Sequence, residues 1–185
     1  GTWGGGITVI ENDTLVVYNT GNGLQDDKIW CFLNDAEGNL LIGTNEQGLS
    51  IHKGNSFVTF GTKDGLHNPQ VWAITKDAGG YYWFGTSGGI TRLKPGTRGA
   101  AQMAYMDEKS HFLNNQVRHL QKDSKGNIWI GTNGGGIYSY QFNPERLVFD
   151  PILNSLLYKD LVITALVIDR KDQLWAGTNE GLVYY

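Results

Sequence analysis

Six residues interrupt an otherwise repetitive chain: Trp3, Trp30, Trp72, Gln70, Gln116 and Arg118. Indole rings stack on the apolar face of a pyranose, and amide or guanidinium groups bond to its hydroxyls. The set suits a saccharide, provided that the fold brings it to one surface. Trp30 and Trp72 have a second reading as packing residues between structural units, because tryptophans are often buried.

Other candidate chemistry reads as structure. No nucleophile elbow or Cys/His pairing is present, and His52, His67, His111 and His119 lack metal-ligand spacing. Gly4-Gly5-Gly6 and Gly134-Gly135-Gly136 are not followed by the helix or the Gly-Lys-Ser/Thr of a phosphate loop. Asp35-Ala36-Glu37-Gly38 lacks the full spacing of a calcium loop and reads as a turn. Neither metal nor cofactor is expected. Cys31, the single cysteine, lies in an apolar run and reads as a buried thiol. Asn12-Asp13-Thr14 matches a glycosylation acceptor, a short pattern that arises by chance.

A five-residue phrase sets the elements that must position the six residues. It stands as Leu41-Ile42-Gly43-Thr44-Asn45, Trp83-Phe84-Gly85-Thr86-Ser87, Trp129-Ile130-Gly131-Thr132-Asn133 and Trp175-Ala176-Gly177-Thr178-Asn179. Gly1-Thr2-Trp3 ends one more copy, and successive Gly positions are 42, 42, 46 and 46 residues apart. A period of this size marks a repeat architecture. Around Trp83 the unit reads as a strand from Val71 to Lys76, a turn Asp77-Ala78-Gly79-Gly80, a strand from Tyr81 to Phe84, a Gly-rich turn, a strand from Ile90 to Leu93, and a fourth from Gln102 to Met106. Equivalent first strands begin near Ile29, Val117 and Ile163, and fourth strands are expected at Ser56 to Phe60 and Arg146 to Asp150.

Four short antiparallel strands in each unit make an all-β chain of propeller blades. In that geometry the loops before strand one and after strand two share a rim. Trp30, Trp72, Arg118 and Thr164 stand at equivalent places there, and Trp3 replaces the Asn or Ser of the other copies. The repeated Trp83, Trp129 and Trp175 are expected between adjacent blades. Thr44, Thr86, Thr132 and Thr178 are expected to bond to turn backbone.

A net charge of −3 with scattered Lys and Arg argues against a nucleic-acid footprint. No apolar run is long enough to cross a membrane as a helix. The Gly-rich, aromatic composition is that of turns and strands.

The copies resemble the two-component regulator propeller repeat. The fullest is Val117 followed by Asp123-Ser124-Lys125-Gly126-Asn127-Ile128-Trp129-Ile130-Gly131-Thr132-Asn133-Gly134-Gly135-Gly136-Ile137. Leu41, Ala176 and Asp172 depart from the pattern. The resemblance implies seven-bladed propellers in the periplasmic sensor halves of hybrid histidine-kinase regulators that respond to glycan fragments. Residues 1–185 would then be about four repeats of a larger propeller, near 1–43, 44–85, 86–131 and 132–177, with a further strand at 178–185.

The expected role is a non-catalytic ligand-sensing segment with an oligosaccharide ligand. Open blade edges would self-associate or meet the rest of the propeller, with no nucleic acid and no direct membrane contact. A protein-interaction or dimerisation scaffold is the alternative. A propeller lyase is a second, although no His/Glu metal cluster is visible.

Overall fold

The computed structural model describes residues 1–54, 56–94, 102–106, 116–141, 149–153 and 160–185. Expected features at His111 and at 146–148 lie outside the described residues. The chain forms two compact units, Gly1–Ile74 and Thr75–Tyr185.

The first unit opens on a hairpin of β1 (Ile7–Glu11) and β2 (Thr14–Tyr18). Its turn is Asn12-Asp13, with φ of 48° and 59°. Asn and Asp tolerate this left-handed region, and such two-residue turns match the twist of a hairpin. A four-stranded antiparallel meander follows: β3 (Ile29–Asn34), β4 (Leu40–Thr44), β5 (Leu49–Lys53) and β6 (Ser56–Phe60). Buried Ile7, Leu24, Ile29 and Ile42 form its core, with Val9, Tyr18, Leu40 and Phe57 packed around them.

Strand β7 (Val71–Lys76) begins in the first unit and runs into the second, where β8 (Tyr82–Thr86), β9 (Gly89–Lys94) and β10 (Gln102–Met106) complete its sheet. Two more sheets follow in the second unit. One holds β11 (Val117–Lys122), β12 (Ile128–Thr132), β13 (Ile137–Tyr140) and β14 (Phe149–Leu153). The other holds β15 (Ile163–Ile168), β16 (Leu174–Thr178) and β17 (Gly181–Tyr184). The expected blades are present. Of the fourth strand expected at Arg146 to Asp150, the described residues show Phe149–Leu153, which runs through Pro151, paired with Tyr138. An outermost strand can carry Pro because one of its edges needs no donor.

Second strands β8 and β12 are buried at every position, so both of their faces meet protein. The glycine of the phrase shows how closely. A Cβ on Gly43 would lie 2.7 Å from the Val71 carbonyl oxygen, and one on Gly131 would lie 2.7 Å from Ile163 Cγ2. The following blade's first strand crosses directly over the glycine, so a hydrogen is all that fits there.

Trp83 and Trp129 fill the space between sheets as expected. Both are buried; Trp83 stands 4.7 Å from the Tyr140 ring of the next sheet, and Trp129 5.7 Å from Tyr185. Trp175 departs from the expectation: it is half-buried and rests on Tyr184 of its own sheet at 5.4 Å, with no later sheet among the described residues to cover it.

Each tryptophan is also held from behind by the turn aspartate six residues earlier. Trp83, Trp129 and Trp175 donate from Nε1 to Asp77, Asp123 and Asp169 Oδ2 at 2.8, 3.1 and 3.1 Å. The other oxygen of each aspartate accepts a backbone N–H across its turn. Where Leu41 replaces Trp, the Asn39 amide still donates to Asp35 Oδ2 at 2.8 Å, as Asn127 does to Asp123 beside its Trp.

Candidate functional site

Two sets of hydrogen bonds build the rim on which the six singled-out residues were expected. Within a blade, the residue after Gly-Thr donates its backbone N–H to the carbonyl just ahead of strand one: Asn45 to Lys28, Asn133 to Gln116 and Asn179 to Val162. Between blades, the last glycine of the turn donates to the carbonyl ahead of the next first strand: Gly6 to Asp27 and Gly48 to Pro69 in the first unit, Gly136 to Leu161 in the second. These glycines have φ of 71°, 84° and 77°. The threonine of the phrase caps each turn, its hydroxyl donating to Gly6, Gly48, Gly89, Gly136 and Gly181 carbonyls at 2.9–3.0 Å. The expected threonine role is met, and the two loops share one rim.

The second residue of a first strand is aimed at this rim by a bulge. The ladder shifts register between Ile29 and Cys31, between Val117 and His119, and between Ile163 and Ala165. Trp30, Arg118 and Thr164 are the residues passed over. A bulge leaves its extra residue outside the ladder and re-aims its side chain.

In the first unit the rim carries three tryptophans in a row. Trp3 and Trp30 meet edge to face at 4.8 Å, and Trp30 meets Trp72 at 6.4 Å. Trp3 is 60 % and Trp30 41 % exposed, while Trp72 is half-buried. Two large indoles thus stand open to water side by side, an exposed apolar patch of the kind that marks a binding surface. Trp3 is placed by a bridge to Lys28 and by the Ile29 N–H to Thr2 carbonyl bond of 3.0 Å.

Polar groups that the sequence reading passed over surround the rings. Trp30 Nε1 donates to Asn45 Oδ1 at 3.1 Å, and the Asn45 amide donates to Glu46 Oε1 at 3.0 Å. Lys28 Nζ donates to the same Glu46 oxygen at 3.3 Å and stands 5.7 Å from the centre of the Trp3 ring. Asp26 ties the loop down, accepting the Lys28 N–H at 2.9 Å and the Glu46 N–H at 2.7 Å. A signal for this loop was available. Glu46-Gln47 stands where other copies have the glycines of Gly4-Gly5 and Gly134-Gly135.

Of the remaining expected site residues, Gln70 is half-buried in the first unit, its N–H held by Asn68 Oδ1 at 2.9 Å. Gln116 and Arg118 belong to the second unit. The Gln116 side-chain carbonyl accepts from Asn133 Nδ2 at 2.7 Å. Arg118 is half-buried and, after burial itself, is the second influence that lowers the pKa of His119. Cys31 Sγ points at the Val71 carbonyl at 3.7 Å, and burial pushes the thiol up to about 12, which removes it as a nucleophile. Among the described residues no His, Cys, Asp and Glu cluster could hold a metal ion, and no helix is long and apolar enough to cross a membrane.

The repeat is matched by a known family: the two-component regulator propeller family matches residues 23–46, 65–88 and 111–134. Among solved structures, the chain is 30 % identical to the extracellular domain of BT3049 from B. thetaiotaomicron, described as a hybrid two-component system. That match covers 100 % of this chain and 24 % of the other, with a TM-score of 0.75. The extracellular domain of BT4673 from the same organism matches at 20 % identity over 100 % of this chain and 25 % of that one, with a TM-score of 0.76. A virginiamycin B lyase from Staphylococcus aureus shares the fold at 16 % identity and a TM-score of 0.65, over 96 % of this chain and 61 % of the lyase. No curated protein sequence matches. The chain thus spans about a quarter of the length of the two-component structures that it matches. It is an all-β chain of propeller blades, three stretches of which match the two-component regulator propeller repeat.

Proposed function

We propose that this chain is part of the extracytoplasmic, ligand-sensing propeller of a hybrid two-component regulator, and that its rim tryptophans take a saccharide. The family match and the extracellular two-component relatives support the sensor class. The row Trp3–Trp30–Trp72, with ring spacings of 4.8 and 6.4 Å and two rings open to water, is the observation that carries the ligand. A flat apolar ring beside amide and charged groups is what the two faces of a pyranose require. The segment itself is read as non-catalytic, placed in the periplasm by parts of a parent protein that also carries a kinase.

Exposed Ile10, Leu15 and Val17 on the first hairpin, and Leu182 and Tyr184 on β17, support a further proposal. Apolar patches of this kind are covered by another sheet, from the parent protein or from a second copy. Sedimentation of this chain should therefore show association that grows with concentration, and a monomer throughout would refute it.

The sensor reading is tested in the intact receptor, with a glycan panel, calorimetry and a kinase readout. Trp3→Ala and Trp72→Ala should weaken binding of the activating glycan by tenfold or more with the fold intact. Unchanged affinity in both would favour the scaffold alternative, in which the same surfaces dimerise the receptor.

A further inference from the structure

The geometry points to a two-part site on the first unit, made for an uncharged oligosaccharide of at least two rings. It rests on the saccharide reading above and specifies length and charge. The first part is the Trp3–Trp30 step. Five residues close a circuit there: Trp3 on Trp30 at 4.8 Å, Trp30 to Asn45 at 3.1 Å, Asn45 to Glu46 at 3.0 Å, Glu46 to Lys28 at 3.3 Å, and Lys28 over Trp3 at 5.7 Å. Every member is held by two others before any ligand arrives, so little side-chain freedom remains to be lost on binding.

The second part is a cavity of about 210 Å³, lined by Glu46 together with Gln47, Thr59, Thr62, Lys63 and Asp64. Its lining is hydroxyls, an amide and charges beside Gly61 and Pro69, with no aromatic ring. It therefore suits the hydroxyl edge of a sugar and not its apolar face. Glu46 belongs to both parts, receiving Asn45 and Lys28 on one side and bordering the cavity on the other. A ring seated on the tryptophans thus has its neighbour in the chain directed over Glu46 into the cavity, and a monosaccharide fills only one part.

The charges select against acidic sugars. Asp26, Glu46 and Asp64 contribute three carboxylates against Lys28 and Lys63, and Lys28 is already paired with Glu46. A uronate or sulfate placed here meets excess negative charge, whereas hydroxyls find acceptors.

The test uses the intact receptor and calorimetry with neutral hexose oligosaccharides of one to six residues, beside uronic acid oligomers of the same lengths. The best neutral sugar should gain at least tenfold in affinity between one and two or three residues, and its uronic counterpart should bind at least tenfold more weakly. Trp3→Ala should weaken every length. Gln47→Ala and Thr62→Ala, with melting curves showing an intact fold, should weaken only chains of two or more. Preference for uronates, indifference to length, or unchanged binding in the cavity variants overturns the two-part site while leaving saccharide sensing in place. Failure of every sugar to bind overturns both readings.

Discussion

Trp83 Nε1 and Asp77 Oδ2 are 2.8 Å apart in a fully buried contact. The same oxygen accepts Arg92 Nε at 3.2 Å and Nη2 at 2.9 Å. Arg92 in turn lies 3.6 Å over the Tyr81 ring. Tyr81 stands where Asn39 and Asn127 stand in other copies, and those asparagines donate to their own aspartates at 2.8 Å. The arginine thus supplies the donor that the tyrosine cannot. Asp77→Ala strands a buried guanidinium and should cost about 3–5 kcal/mol. Chemical denaturation checks this, and the double variant Asp77→Ala/Arg92→Leu should recover part of the loss.

The recurrent tryptophans should not be equivalent. Trp129 is buried against the next blade, so Trp129→Ala should cost roughly 3–5 kcal/mol through cavity formation. Trp175 is half-buried and meets a ring of its own sheet. Trp175→Ala should cost clearly less in the same urea titration; equal costs would show that both are covered alike.

Two glycines at positive φ separate strain from collision. Gly38 has φ of 81° and open space where a Cβ would go. Gly38→Ala should cost about 1–2 kcal/mol from backbone strain alone. Gly48 has φ of 84°, and its Cβ would lie 2.6 Å from the Phe60 carbonyl. Gly48→Ala should therefore be the more damaging of the two by thermal melting, and should also loosen the rim bond to Pro69.

Cys31 should resist alkylation. With its thiol pushed up to about 12 by burial, thiolate is on the order of one part in ten thousand at pH 8. Iodoacetamide should label the native chain slowly and the unfolded chain at the rate of a free cysteine. Rapid labelling of the native chain would mean that the first strand opens away from Gly43.

Acid should weaken the fold in two ranges. Burial, then the Arg118 charge, lower the His119 pKa, so the native state favours the neutral ring. Its contribution is fully present above the unfolded value of about 6.5 and is lost as pH falls through the lower folded value. Asp172 is lowered by bonds from the Ser124 hydroxyl and N–H, and its contribution is lost further down, below the ordinary carboxylate range. Melting temperature against pH should show both declines. His119→Gln should flatten the upper one and Asp172→Asn the lower.

Asp172 also shows how a departure from the repeat acquires a use. It stands where other turns have glycine, adopts φ of 59°, and reaches the Ser124 of a neighbouring turn. Read along the chain, Asp172 only weakens its copy. Its bond to Ser124 joins residues 48 apart and exists only because the blades stack.

The blades were legible from the chain because their determinants are local and repeated. Gly-Thr turns, Asp-Gly turns and β-branched runs each act within a few residues, and first strands begin at Ile29, Val71, Val117 and Ile163 as read. The capping threonines were legible for the same reason. β14 runs past the expected end at Asp150 to Leu153, because an outermost strand tolerates Pro151.

What the sequence by itself determined is the blade, its period and the list of residues that break the period. Tertiary structure decided which of those residues meet. It put Trp3, Trp30 and Trp72 in one row, brought Asn45, Glu46 and Lys28 around them, and tied Gln116 to Asn133. The physical reason is range. A turn forms from neighbouring residues, but a bulge that aims Trp30 at the rim, and a loop held there by Asp26, depend on strands that pair only after the chain has folded back on itself.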